Sequence, residues 1–148
     1  MPEFVTFLLA PIGYAGLTFA VVQASRGHRL GDIWRLTTLV VVTHVLLVWS
    51  VRYDWQFSEA TRNGYIGFAV FHVALAAILL SHVATPAAAR RLVVGAFLAV
   101  SLGAIGATFR YDVVNMYRIP VLFCAVAGST ALVRTYAARR RTLLTPND

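Results

Sequence analysis

Five long apolar segments, separated by short polar stretches, account for most of the chain. They cover residues 4–23, 36–53, 65–84, 92–109 and 119–136. Each has close to the roughly 20 residues that an α-helix needs to cross the hydrocarbon layer of a membrane. Their only charged side chains are Arg52 and Arg134, both near segment ends. In lipid, backbone polar groups must be bonded within the segment, so the pattern predicts an all-α integral membrane bundle of five transmembrane helices in one domain, 1–148.

The segments do not show the alternation of a transmembrane β-strand, which places apolar and polar side chains on opposite faces. Residues 39–42 and 74–80 are continuously apolar, which favours helices over a barrel. Pro11 lies inside the first segment, where it removes one backbone hydrogen bond. The first helix is therefore expected to be kinked there, or to be re-entrant.

Composition agrees with a membrane protein. The chain is 59% hydrophobic and 13% charged, against about 45–50% and about 25% in soluble domains. The net charge of +7 could indicate nucleic-acid binding. However, the arginines lie between or just beyond the apolar segments, so we expect the lipid bilayer, and no nucleic acid, as the partner.

The distribution of arginines predicts the orientation. Nine lie in the connections and tail on one side of the predicted bundle, and four lie on the other side. Short loops rich in arginine stay in the cytoplasm. The N-terminus is therefore predicted outside, the C-terminus and the basic tail 137–148 in the cytoplasm, and the protein in the cell membrane as a multi-pass protein. Tyr and Trp near the segment ends match the aromatic belts of membrane interfaces.

Three histidines in or near the segments are candidates for a cofactor, proton or metal site: His44, His72 and His82. Ionisable residues within a membrane mark possible functional sites. Two histidines on neighbouring helices could ligate haem b, but His44 and His72 are predicted at depths of about 12 and 19 Å from the cytoplasmic end, which disagrees with a shared haem. Hydrogen bonds between helices are the alternative.

Two further patterns have a structural and a functional interpretation. The predicted outer surface has two charged corners, formed by Arg52 with Asp54 and by Arg110 with Asp112. These residues are interpreted either as helix-end residues, with the arginines reaching the headgroups, or as part of a gate or anion site. The fourth segment carries a ridge of small residues that suits close helix packing, within the bundle or in a homo-oligomer. Its members are Gly95, Ala99, Gly103 and Ala107.

Catalytic patterns are not evident in the sequence. There is no acidic residue within a segment, no glycine-rich phosphate loop and no Ser–His–Asp order. The single cysteine, Cys124, cannot form an intramolecular disulfide. The sequence therefore favours a non-catalytic small transporter or channel, or an accessory subunit of a membrane complex. The alternative is a redox bundle that binds haem or a metal through intramembrane histidines.

Overall fold

The computed structural model describes residues 2–62 and 64–144, and this part of the chain is 87% helical with no strands. Six α-helices follow one another: α1 Pro2–Ser25, α2 Asp32–Leu47, α3 Phe57–Thr61, α4 Tyr65–Leu80, α5 Pro86–Arg110 and α6 Arg118–Leu144. A π-type turn, Val48–Arg52, extends α2, and a 3₁₀ helix, Asp112–Tyr117, leads into α6. The predicted all-α class is confirmed.

Four of the predicted segments lie in helical stretches that are long and apolar enough to cross a membrane. They correspond to α1, to α2 with its π-type turn, to α5, and to α6 with the 3₁₀ helix before it. The helix of the remaining segment, α4, has 16 residues and is about 24 Å long. It ends four residues before the predicted limit at Ala84. The short helix α3 was not predicted.

Helix ends differ from the predicted limits because caps and helix propensity, rather than apolarity, set them. The Thr85 side chain caps α5 by accepting a hydrogen bond from the backbone N–H of Ala88, and Pro86 occupies the first turn. Proline suits that position, because its missing N–H would have no partner there. The basic tail continues α6 as helix through Leu144, while residues 145–148 lie outside the described part. The first helix is continuous across Pro11.

The long helices alternate in direction between two ends of the bundle. At one end, Trp34 at the start of α2 meets Ser81 after α4, and Ser25 at the end of α1 meets Thr135 of α6. We name this the basic end, because nine arginines belong to it: Arg26, Arg29, Arg35, Arg90, Arg91, Arg134, Arg139, Arg140 and Arg141. The opposite, aromatic end contains the α2–α4 and α5–α6 connections. Helix α4 therefore runs between the same two ends as its neighbours.

Helix α1 forms the centre of the core and packs against α2, α5 and α6, while α4 packs mainly against α5. Fully buried Leu17 and Val21 of α1 lie in one cluster with Val93 and Phe97 of α5. The core is therefore built mainly from apolar side chains.

Glycines allow the helices to approach closely at three interfaces. A Cβ atom at Gly16 would collide with Thr37, one at Gly103 with Phe71, and one at Gly128 with Phe97. These contacts join α1 to α2, α5 to α4, and α6 to α5. Small residues at helix interfaces are typical of membrane bundles, where packing replaces the hydrophobic effect as the source of association.

Candidate functional site

A polar cluster lies in the centre of the bundle, where α1, α5 and α6 meet. The Tyr14 hydroxyl is 2.7 Å from Ser101 Oγ, which itself donates to the carbonyl oxygen of Phe97 at 2.7 Å. Tyr14 is therefore the donor to Ser101. Thr18 donates to the carbonyl oxygen of Tyr14 at 2.9 Å, and the Cys124 side chain of α6 lies in the same buried core. These side chains are all buried, and the Tyr14–Ser101 hydrogen bond connects α1 with α5.

The hydrogen bonds of this central cluster have a structural role. A hydroxyl or thiol becomes a nucleophile when an adjacent base removes its proton. Here the bonded groups are hydroxyls and backbone carbonyls. Each proton is directed to a neighbouring oxygen, which stabilises one arrangement of the helices. The sequence suggested none of these contacts, although Tyr14 and Thr18 share a helix face by their spacing of four residues.

The predicted histidine site is divided among three separate places. His44 lies on α2 and donates from Nδ1 to the carbonyl oxygen of Thr6 at 2.8 Å, which ties α2 to α1. His72 on α4 donates from Nδ1 to the carbonyl oxygen of Phe68 at 2.8 Å. With Nδ1 protonated, His72 Nε2 accepts the indole N–H of Trp49 at 3.4 Å. His44 therefore contacts α1, whereas His72 contacts the end of α2.

His82 belongs to a third group, at the basic end. Its ring stacks on Trp34 with centroids 5.9 Å apart, and its Nε2 is 2.8 Å from Thr38 Oγ1. Trp34 also donates its indole N–H to Ser81 Oγ at 3.0 Å. Because Trp34 and Thr38 are on α2 while Ser81 and His82 follow α4, these bonds align α2 with α4.

To ligate one haem b, two imidazole rings would have to face the same space between the helices. The histidines instead hydrogen-bond to different elements, as described above. In the described residues no group of three or more His, Cys, Asp or Glu side chains could hold a metal ion. No observed contact supports the haem or metal hypothesis, which stays a prediction.

At the aromatic end, Trp49 lies at the centre of a cluster of rings. It stacks with Trp55 at 6.1 Å and meets Tyr53, Phe68 and His72 edge-on at 5.9–6.2 Å between centroids. The chain reaches this arrangement through a left-handed turn, since Asp54 and Trp55 have φ of +46° and +57°. Trp55 then donates its backbone N–H to the Trp49 carbonyl oxygen at 2.9 Å, which closes the end of α2.

The charged corners do not assemble into a ring. The Arg52 guanidinium lies 5.7 Å from the centroid of the Phe7 ring in α1, and that of Arg110 lies 5.5 Å from the ring of its neighbour Tyr111. The described residues include two ion pairs, Arg35–Asp32 and Arg62–Glu59, and neither involves a corner residue. Neither Asp54 nor Asp112 is therefore paired with the arginine of its corner.

A different arginine at this end has a defined structural role. Arg118, at the start of α6, donates from Nε to the carbonyl oxygen of Thr108 at 2.8 Å and lies 4.9 Å from the centroid of the Phe109 ring. It satisfies an acceptor in the last turn of α5, where carbonyl groups lack helical partners. This contact depends on how α5 and α6 meet, and the sequence pattern did not indicate it.

The small-residue ridge of α5 has two environments. Gly103 packs against Phe71 of α4, whereas a Cβ at Gly95 would meet nothing within 4 Å. Ala99 is half-buried and packs against the core, and Ala107 is half-buried. Part of the ridge is thus an internal helix contact, and Gly95 faces outward.

In comparisons with known proteins, the chain matches no family model, no curated protein and no solved structure.

Two open cavities lie at the basic end, and both are bordered by α1. The first, about 330 Å³, is bordered by α1, the connection 26–31 and the start of α2, and includes Arg29, Asp32 and Trp34. The second, about 320 Å³, lies between α1 and α6 and includes Arg26 and Arg134. We name it the α1–α6 groove. Both are open surface grooves, so this end of the bundle offers candidate binding surfaces.

Proposed function

We propose that this chain is a five-span protein of the cell membrane, with its N-terminus outside and its C-terminus in the cytoplasm, that acts as a non-catalytic accessory subunit of a membrane complex. The observation that carries this proposal is the buried core at the centre of the bundle. Large side chains and mutually bonded hydroxyls occupy the centre, while apolar side chains cover much of the outside.

The outer faces support insertion into lipid. Exposed apolar side chains occur along the helices, with Ile66 81% exposed and Leu102 76% exposed. Soluble proteins rarely expose apolar surface on this scale. A bilayer accounts for this surface without a further assumption.

The short helix α4 is the critical element of the five-span proposal. Its backbone hydrogen bonds continue beyond Leu80, since Ser81, His82, Val83 and Ala84 all donate to carbonyl groups one turn earlier. Residues 65–84 therefore form a bonded stretch of about 30 Å, comparable with the hydrocarbon thickness. The alternating helix directions also require α4 to connect the two ends.

The orientation follows from charge. With five spans, nine of the thirteen arginines lie at the basic end. Positively charged short loops are retained in the cytoplasm during insertion. This supports a cytoplasmic basic end and an outer aromatic end, where Trp49 and its neighbours lie at headgroup level.

The packing favours an accessory subunit over a transporter. Substrate sites of transporters lie near the middle of the membrane, commonly beside interrupted helices. In this chain the corresponding level contains the Tyr14–Ser101 hydrogen bond and fully buried Phe97. Helix α1 is also continuous across that level. A path for solute would have to disrupt these contacts.

Two measurements on the intact chain test this proposal. Proteoliposomes of the purified protein should show no more solute flux than protein-free vesicles. In mild-detergent extracts of its natural membrane, the chain should migrate in a complex of defined size with a stoichiometric partner. Solute-dependent flux by the purified chain, or a free monomer in its natural membrane, would contradict the accessory role.

A further inference from the structure

Beyond this role, the α1–α6 groove has the features of a lipid site. It joins two arginines to an apolar wall at the basic end of the bundle. We propose that the groove binds the phosphate of an anionic phospholipid through Arg26 and Arg134, with an acyl chain against the adjoining helices. This inference rests on the proposed membrane insertion.

A hydrogen bond between helices holds the two arginines on the same groove. Thr135 donates to the carbonyl oxygen of Ser25 at 3.2 Å and to that of Ala131 at 2.9 Å. Arg26 follows Ser25, and Arg134 precedes Thr135, so the backbones that carry the two arginines are tied together. Both guanidinium groups are exposed and border the same space.

The charge of the groove suits an anion. Its lining includes two arginines and no carboxylate. Neither arginine takes part in the ion pairs of the described residues. Guanidinium groups bind phosphate oxygens through charge-assisted hydrogen bonds. A phosphate between them would also relieve the repulsion of two like charges.

The groove between α1 and the start of α2 provides a contrast. Its lining includes one arginine, Arg29, and one carboxylate, Asp32, so the formal charge of the lining is zero. Arg29 thus provides a matched control, since it is an exposed arginine at the same end in a groove that has its own carboxylate.

The remaining lining of the α1–α6 groove distinguishes a lipid from free phosphate. Val22, Ala127 and Ala131 form an apolar wall beside the arginines. In the proposed orientation the arginines lie at the level of the cytoplasmic headgroups, and this wall continues toward the hydrocarbon. Basic residues beside a membrane helix attract the anionic lipids of that leaflet.

Lipid binding can be measured on the full chain in mild detergent by native mass spectrometry, with phosphatidylglycerol or phosphatidylcholine added in mixed micelles. The wild type should bind phosphatidylglycerol more tightly. Arg26→Gln and Arg134→Gln should each weaken that binding about fivefold, and the double variant about 30-fold if the effects add. Arg29→Gln should leave it unchanged.

Equal affinity of the wild type for the two lipids would overturn the proposal, whether or not the double variant folds. An equal loss in Arg29→Gln would also overturn it, because it would indicate attraction by the basic end as a whole. Inorganic phosphate alone should not raise the Tm, and stabilisation equal to that by the lipid would refute a lipid site. Micelle binding is independent of orientation and complex formation, so its failure is distinguishable from failure of the accessory role.

Discussion

Replacing Gly128 with alanine should destabilise the bundle, whereas the same change at Gly95 should not. A Cβ at position 128 would collide with the Phe97 ring, while one at position 95 would meet nothing within 4 Å. Phe97 is 0% exposed and packs beside Tyr14, so its ring has little room to move. Both glycines lie inside long helices, which makes Gly95→Ala a matched control for the backbone effect.

The stability of each alanine variant depends on two contributions. Alanine favours the helix over glycine by about 1 kcal/mol, and this gain applies to both variants. An extra methyl group in a filled core costs about 1–3 kcal/mol, and this cost applies only to Gly128→Ala. The two variants should therefore differ by about 1–3 kcal/mol, or roughly 2–12 °C in Tm for a chain of this size.

Gly103→Ala should give an intermediate result. A Cβ there would lie 2.6 Å from the tip of the Phe71 ring. Phe71 is 41% exposed and can turn outward more easily than the enclosed Phe97. The predicted order of stability is therefore Gly95→Ala, then Gly103→Ala, then Gly128→Ala.

Thermal unfolding in mild detergent measures this order directly. Cys124 is the single cysteine and is buried in the core, so a thiol-reactive fluorogenic dye reports its exposure as the bundle opens. Equal Tm values for Gly128→Ala and Gly95→Ala would refute the close contact between α5 and α6.

Three further predictions concern individual polar contacts. A double-mutant cycle of Tyr14→Phe and Ser101→Ala, followed by thermal unfolding, should give a coupling energy of about 0.6 kcal/mol, which is the average for hydrogen bonds between membrane helices. A coupling energy of zero would contradict the Tyr14–Ser101 hydrogen bond. Protein from a haem-replete host should show no Soret band, and a band lost in His44→Ala and His72→Ala would establish the haem alternative. Arg118→Gln should lower stability by about 1 kcal/mol through loss of its hydrogen bond to α5, and an unchanged Tm would contradict this role.

The sequence pattern predicted where the long helices lie but not where they end. Apolar segments indicate which residues can contact lipid, whereas the ends of a helix depend on its caps and on helix propensity. Thr85 and Pro86 therefore start α5 six residues before the predicted Leu92, and Arg90 lies within that extension. The tail beyond Tyr136 remains helical because its residues favour helix, although they are too polar to resemble a span.

The contacts among polar side chains were harder to predict, because they depend on which helix faces meet. Tyr14 and Ser101 are 87 residues apart, and no local pattern pairs them. The sequence predicted different depths for His44 and His72, but their hydrogen-bond partners depend on side-chain direction, which the sequence pattern does not give. Likewise, spacing alone could not show that Gly103 faces α4 while Gly95 faces outward.

The most direct test of the account is whether the short helix α4 crosses the membrane. Single cysteines can be placed at exposed Ser58, before α4, and at exposed Ala87, after it, in a chain with Cys124 replaced by alanine. In intact cells a membrane-impermeant maleimide should label position 58 but reach position 87 only after permeabilisation. Labelling of both positions from the same side would show that α4 does not span, and would contradict the five-span arrangement and the cytoplasmic basic end.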